Sequence, residues 1–435
     1  MDSQFDITIV GGGAAGLAAG IFAAQTNPQL KIGIVDAARS IGAKILVSGG
    51  GRCNVTNEHV SPNDFHAPKQ IVRRILKRLG QQDTVQWFES LGVPLKIETT
   101  GKLFPESNSA RTVLQALLQQ CRSLGIAILT QHRVQSISPS TTSFKITHQS
   151  GSFVTHSLIM ATGGQSLPKT GSDGHGWEIA KKLGHTCTPC YPALVPLVLK
   201  DNFFHKELSG ISHEATLMTR VNGKLIDRRS GSLLWTHFGM SGPVVMDASR
   251  FWVLATGQGD HPELSLSFFP GHSLETIDQK LIQAKNKTLL GLLSGAFPQR
   301  LVKILCFHLD TTIGQHQHDD PQSSRTSIPL SQLPRRTRRD LAHLLTNLPL
   351  PVLQSRGWNF AEVTAGGIPL EEINPQTMES RKNPGLYLIG EILDCDGRIG
   401  GFNFQWAWST GYIAGNSAAA SFSTKTRKIH TAKKG

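Results

Sequence analysis

Ile7-Thr8-Ile9-Val10-Gly11-Gly12-Gly13-Ala14-Ala15-Gly16 carries an apolar run into a glycine turn and then into a small-residue segment. A second apolar run, Lys31 to Val35, ends at Asp36, 20 residues beyond Gly16. A strand, a G-x-G-x-x-G turn, a helix and an acid closing the next strand together form the dinucleotide-binding fingerprint. In that pattern Gly11 permits the tight turn, Gly13 lets backbone approach a pyrophosphate, and Gly16 lets the helix pack closely on the strand. The helix N-terminus offers unpaired N–H groups and a partial positive charge to the phosphates. Asp36 is placed to accept hydrogen bonds from an adenosine ribose.

Two further stretches have the same character. Gly42-Ala43-Lys44-Ile45-Leu46-Val47-Ser48-Gly49-Gly50-Gly51-Arg52-Cys53-Asn54 sets three consecutive glycines between basic residues, and glycines in a row cost chain entropy that close approach to a ligand would justify. A bare flexible loop is the alternative. Ser157 to Ala161 reads as an apolar strand ending in Thr162-Gly163-Gly164. Near the C-terminus, Gly385 to Glu391 reads as another, followed by a loop through Gly397, Gly400, Gly401 and Asn403 and a helix from Gln405 to Ala420.

The 435 residues, 39% hydrophobic and 17% charged, describe a globular protein of two or three domains. The uncharged run from Ile7 to Leu30 is broken by glycines, its helical part is too short to span a bilayer, and the start lacks a basic signal region; a cytoplasmic location with no membrane association is expected. Six cysteines without framework spacing read as reduced thiols. Cys187-Thr188-Pro189-Cys190 has C-x-x-C spacing, which reads either as a redox dithiol or as two small loop residues. No second pair completes a metal set, so no metal is expected. The polar loop bearing His316, His318, Asp319 and Asp320 is read as solvated.

The formal charge is +13, with five cations in the tail at Lys425, Arg427, Lys428, Lys433 and Lys434. Further clusters are Lys69, Arg73, Arg74, Lys77 and Arg78, spaced like one helix face, and Arg335, Arg336, Arg338 and Arg339. Such runs are solvated faces or phosphate-neutralising surfaces, so a nucleic-acid partner enters beside small-molecule substrates.

Along the chain, helical patterns cover Ile71 to Leu91 and Ala110 to Leu124, strand patterns Ala127 to Ile137 and Ser143 to His148. Short strands with an Asn222-Gly223 hairpin fill about Leu194 to Phe269, and helices about Ser273 to Leu350. This predicts a dinucleotide domain in two parts, 1–193 and 356–423, enclosing a β-rich insertion 194–271 and a helical insertion 272–355, with a basic tail 424–435.

At Val10 to Gly16, Lys44 to Asn57, Ala161 to Gly164, Thr236 to Pro243 and Gly385 to Ser409 the chain resembles the glutathione-reductase-type flavoproteins. More narrowly, it is similar to the bacterial FAD-dependent oxidoreductases labelled aminoacetone-oxidase-like. The resemblance implies an α/β fold, a discontinuous Rossmann-like FAD-binding domain with β-rich and helical domains inserted. It implies FAD, with its pyrophosphate on Gly11, Gly13, Ala15 and Gly16, its ribose on Asp36 and its adenine near the backbone of Val134. Lys44, Gly50, Gly51, Arg52, Cys53 and Asn54 would wrap the flavin, and Thr162 and Gly163 would meet the cofactor. Gly390, Glu391, Gly400, Gly401 and Asn403 would contact the ribityl chain and ring. The C-x-x-C pair and the basic tail depart from that family.

No second nucleotide fingerprint follows, so NAD(P)H would dock transiently at the flavin, with oxygen or another donor as alternatives. Family members linked to reduction of conjugated C=C bonds, in bile-acid-type enones or in uridine of ribosomal RNA, imply hydride transfer to an activated alkene. Arg52 could stabilise developing negative charge and Cys53 or His237 could donate the proton, each also having a purely structural reading. Ribosomal RNA is the substrate favoured by the charge. A small-molecule enone reductase, an amine-oxidase-like enzyme and a non-catalytic RNA-binding flavoprotein are the alternatives.

Overall fold

A computed structural model of the protein describes residues 3–316 and 328–432, with side chains for 5–309 and 328–422. The side chains of the basic tail and of the His316-to-Asp320 loop lie outside these. The chain divides into two compact units, Met1–Pro192 with Glu362–Gly435, and Ala193–Ala361.

The first unit is built on a seven-stranded sheet. Ala127–Leu129, Ile32–Val35, Ser3–Val10, Gly151–Met160 and Leu386–Leu388 run parallel, in that order. Phe144–His148 and Val134–Pro139 continue it antiparallel from the N-terminal half of Gly151–Met160. The register aligns Val10 with Val35 and Met160, and Met160 with Leu388. Four strands therefore end level, and Gly11, Asp36, Ala161 and Ile389 begin one common edge. Ligands of doubly wound sheets bind outside such carboxyl ends.

The helix Ala14–Thr26 buries every residue from Ala15 to Ala24. A helix apolar all round has no solvent face and must be covered on both sides; the sheet covers one, and the last helix, Phe402–Ala432, the other. The two helices meet through small residues. A Cβ on Gly411 would lie 2.7 Å from Ala15 O, and one on Gly415 2.3 Å from Ala19 O. The ends of the chain thus meet backbone to backbone.

The last helix is also stapled by buried donors. Trp406 Nε1 donates to Gly390 O and Trp408 Nε1 to Val55 O, at 3.1 and 2.9 Å. Gln405 Nε2 donates to Leu79 O, and its Oε1 accepts from Thr56 Oγ1. The distinctive G-F-N-F-Q-W-A-W-S segment is therefore largely a device for fixing this helix, because buried indoles and amides require partners.

In the second unit a seven-stranded antiparallel sheet takes the order Leu348–Leu350, Pro262–Ser267, Ser212–Val221, Lys224–Thr236, Gly239–Ser241, Leu197–Leu199, Val352–Ser355. Asn222 and Gly223 form the expected hairpin, both at positive φ of 52° and 74°. One expectation is corrected: Pro243–Gly257 is a helix, not strand. Its valines and near-uniform burial mimic a buried strand, while Pro243 at the first helical position is the helix signal. The helical segments Leu274–Gln283, Gln299–His316 and Arg335–Asn347 belong to this same unit. Among the described residues no helix is long and apolar enough to cross a membrane.

Gly415→Ala tests the helix contact. Alanine is the better helix former by about 1 kcal/mol, yet the blocked site should cost about 1–3 kcal/mol from overpacking. We expect a net loss of stability, read as a lowered melting temperature; a raised one would contradict the close approach.

Candidate cofactor and active site

At the edge of the first sheet, two glycines of the fingerprint are closed to any side chain. A Cβ on Gly11, at φ 110°, would lie 2.2 Å from Ala161 O, and one on Gly16 1.9 Å from Gly11 O. Gly13 differs: nothing lies within 4 Å of its Cβ position. It caps the helix Ala14–Thr26, no side chain caps that end, and the first turn holds no acid. An uncapped helix N-terminus opening into free space is an anion cradle. Asp36 flanks it, accepting from Gly12 N–H at 2.7 Å and Ala38 N–H at 2.8 Å. Each carboxylate oxygen keeps a second lone pair for a ribose hydroxyl.

The glycine-rich stretch forms a kinked helix, Ala43–Gly51, with Ser48, Gly49 and Gly50 off helical geometry. Gly50 and Gly51, at φ 68° and 84°, meet essentially nothing at their Cβ positions. Their glycine identity follows from the left-handed backbone, and they present bare main chain to open space. Asn54, with its amide oxygen turned to the donor, accepts from Gly401 N at 3.0 Å and donates to Thr56 O at 2.8 Å. Asn57 Nδ2 donates to Gly400 O at 2.9 Å. A Cβ on Gly401 would lie 2.5 Å from the Thr56 backbone. The two glycine segments are thus locked together, and Asn54 serves that lock. Asn403 closes its own loop, accepting from Gly397 N and donating to Gly397 O.

A polar node joins distant segments. Lys44 Nζ lies 2.5 Å from both Glu391 Oε2 and Ser166 Oγ; Ser166 Oγ donates to Glu391 Oε1 at 2.6 Å. Thr364 N–H donates to Glu391 Oε1 at 2.8 Å, while Thr364 Oγ1 accepts from Gln165 and Ser166 N–H. Gly390, at φ 72°, donates its N–H to Thr410 Oγ1. Ser166 and Thr364 escaped the sequence reading; their signal was position, two residues after Thr162-Gly163-Gly164 and just before Ala365-Gly366-Gly367. The Thr162 hydroxyl is buried with no hydrogen-bond partner. Gly163 follows it at φ 73°. That hydroxyl faces Gly176, where a Cβ would lie 1.9 Å from it, so the fit to a large polar cofactor rests on the open, uncapped helix end at Gly13. The Val134 carbonyl accepts from His175 Nε2 at 3.1 Å.

The candidate catalytic residues fare unequally. Arg52 is ion-paired with Glu98 at 2.5 Å, its guanidinium 4.0 Å from the Phe104 ring centroid, and it remains partly exposed. Cys53 is corrected. It is fully buried, and burial pushes its thiol up to about 12 against a lowering hydrogen bond from Ser48. A thiol without exposed surface and so weakly acidic is core, not a proton donor to substrate. His237 stands exposed at the hairpin between Lys224–Thr236 and Gly239–Ser241, in the second unit.

Cys187 and Cys190 are free thiols with sulfurs 3.8 Å apart, both donating to Thr188 O. Burial raises both. Elsewhere Ser380, His185 and Glu372 line up at 2.8 and 2.6 Å like a hydrolytic triad. Ser380 Oγ, however, accepts from the N–H groups of Lys382 and Asn383 and closes a turn. Among the described residues no group of three or more His, Cys, Asp or Glu side chains is arranged to hold a metal.

Gly13→Asp separates folding from cofactor binding. An aspartate N-cap stabilises a helix and has room here, but its charge opposes an anion. We expect an undiminished melting temperature of the flavin-free protein with flavin content down roughly tenfold or more, from a lost 1.4 kcal/mol or greater. Full flavin occupancy would contradict the cradle.

The HI0933-like protein Rossmann domain model matches residues 5–417. The chain is 33% identical over 418 residues to the 3-dehydro-bile acid delta(4,6)-reductase of Clostridium scindens, covering 95% of this chain and 98% of that one. It is 31% identical over 425 residues to the ribosomal RNA dihydrouridine synthase of Escherichia coli, covering 97% and 100%. Among solved structures, an E. coli quinol fumarate reductase gives a TM-score of 0.51 at 18% identity, covering 98% of this chain and 72% of that one. The 3-ketosteroid delta1-dehydrogenase of Sterolibacterium denitrificans gives 0.50 at 12%, covering 96% and 100%. These two likenesses are of fold alone. With its sheet edge, open phosphate cradle and near-complete match, the chain belongs to the HI0933-like family and is an FAD-dependent oxidoreductase.

Proposed function

We propose that the protein reduces an activated carbon–carbon double bond, and that its substrate is uridine in ribosomal RNA, giving dihydrouridine. The observation that carries this reading is the pair of full-length relatives. Their names give unrelated substrates but one bond type, a C=C conjugated to a carbonyl. The charge of +13 favours the RNA member of the pair, since small enones gain nothing from it.

The balanced reaction is uridine, NAD(P)H and a proton giving dihydrouridine and NAD(P)⁺. Bound FAD, once reduced, supplies the hydride. The fingerprint helix and Asp36 would hold the adenosine diphosphate half. Lys44, Ser166 and Glu391 form a paired polar node whose groups would orient the flavin end of the cofactor. Arg52, paired with Glu98 and with its guanidinium 4.0 Å from the Phe104 ring centroid, would stabilise charge developing on the substrate carbonyl. With no second nucleotide fingerprint in the chain, NAD(P)H docks transiently.

A small-molecule enone reductase is the second reading, supported by the 33% identical bile-acid relative. Nucleoside mass spectrometry of ribosomal RNA, from cells with and without the gene, separates the two. We expect one dihydrouridine to disappear and to return with the wild type but not with Gly13→Asp. Unchanged dihydrouridine would overturn the RNA substrate and leave the enone reading.

A further inference from the structure

We infer that the exposed cationic face formed by Arg73, Arg74, Lys77 and Arg78 binds the phosphate backbone of structured RNA and leads the strand to the adjoining polar cleft. The identity of the partner rests on the ribosomal-RNA reading above. The helix Lys69–Leu76 turns Val72 and Ile75 into the core. Arg73 and Arg74 lie on its outer side, and Lys77 and Arg78 follow in the next turn, all four exposed. Residues three and four apart share a helix face, so the four cations form one patch.

What sets this patch apart is the concentration of four exposed cations on one short stretch with no acidic side chain among them. None of the four patch residues forms an ion pair among the described residues. Four like charges on one face repel and cost stability, and an external polyanion relieves that cost. Three of the four are arginines, whose planar fork suits phosphate.

Position supplies the second argument. Ser61 and Asp64, just before this helix, and Gln81, just after it, line one cleft with Asn57, Arg398 and Phe402. Its volume is about 600 Å³, within the range that holds a small ligand or a single extruded base. The four cations do not line this cleft themselves; Gln81, three residues after Arg78, does, and a strand that follows the patch past that point would meet a compartment of nucleobase size. A lipid surface fits less well. Interfacial helices present large apolar side chains to the bilayer, and the apolar residues of this helix are buried or half-buried.

The test compares the FAD-loaded wild type with R73Q/R74Q/K77Q/R78Q, the fold of the variant being checked by its melting temperature and visible flavin spectrum. The probes are an unmodified ribosomal RNA transcript and phosphatidylserine–phosphatidylcholine vesicles, with binding followed across a salt series. We expect the variant to bind the transcript roughly tenfold or more weakly at low salt, and its log–log salt slope to be shallower by roughly three, the value for four lost phosphate contacts. Unchanged transcript affinity and slope, or vesicle binding lost with the patch while transcript binding persists, would overturn the inference. Should transcript binding fall as expected while the wild type forms no dihydrouridine, the surface stands and the uridine reading fails. Should the variant form dihydrouridine at the wild-type rate, the surface fails and the uridine reading stands.

Discussion

Backbone-to-backbone contact is the constraint on which the first unit depends. The helix Ala14–Thr26 is held between a sheet and the chain's last helix at distances that leave no place for a Cβ: Gly16 on Gly11, Gly11 on Ala161, Gly411 on Ala15 and Gly415 on Ala19. These contacts bring the N-terminus of one helix to the level edge of four parallel strands. They also require residues some 400 positions apart to fold together, which is why the nucleotide domain is completed only by the C-terminal segment. Slots this narrow serve to position main-chain donors. The neighbouring Gly13 is left open, at a helix end that no side chain caps.

The same economy governs the polar node. Lys44 comes from the kinked helix, Ser166 from the loop after the central strand, and Thr364 and Glu391 from the returning segment. Each is partnered before any cofactor arrives. Preorganisation of this kind holds charge in place without reorganisation during reaction. The residues of the distinctive C-terminal motif do parallel work: Asn403, Gln405, Trp406 and Trp408 use their side-chain donors and acceptors to hold loops and the last helix.

Much of this was legible from residue order. The fingerprint, the paired glycine segments and the return of strand and helix signals after Phe360 rest on local features, period and turn chemistry, and from these the Rossmann-type α/β fold was readable. What escaped depended on tertiary facts. Cys53 sits in a run that reads as ligand-facing, yet a left-handed turn at φ 61° sends its side chain into the core. Pro243–Gly257 has the composition of a buried strand because it is a buried helix, and composition alone does not separate the two. Ser166 and Thr364 are ordinary hydroxyl residues whose importance lies wholly in long-range pairing. Asn54 and Asn403 read as cofactor ligands, but their amides are committed to backbone.

The central claim is that the reduced enzyme delivers a hydride to a carbonyl-conjugated double bond, with RNA as the acceptor. Anaerobic rapid mixing tests it most directly: the flavin is reduced by NAD(P)H, mixed with unmodified ribosomal RNA transcript, and followed by the return of oxidised-flavin absorbance. The account predicts reoxidation that depends on transcript concentration, with one dihydrouridine formed per flavin reoxidised. A flavin that stays reduced in the presence of the transcript, with no dihydrouridine formed, would contradict RNA as the acceptor.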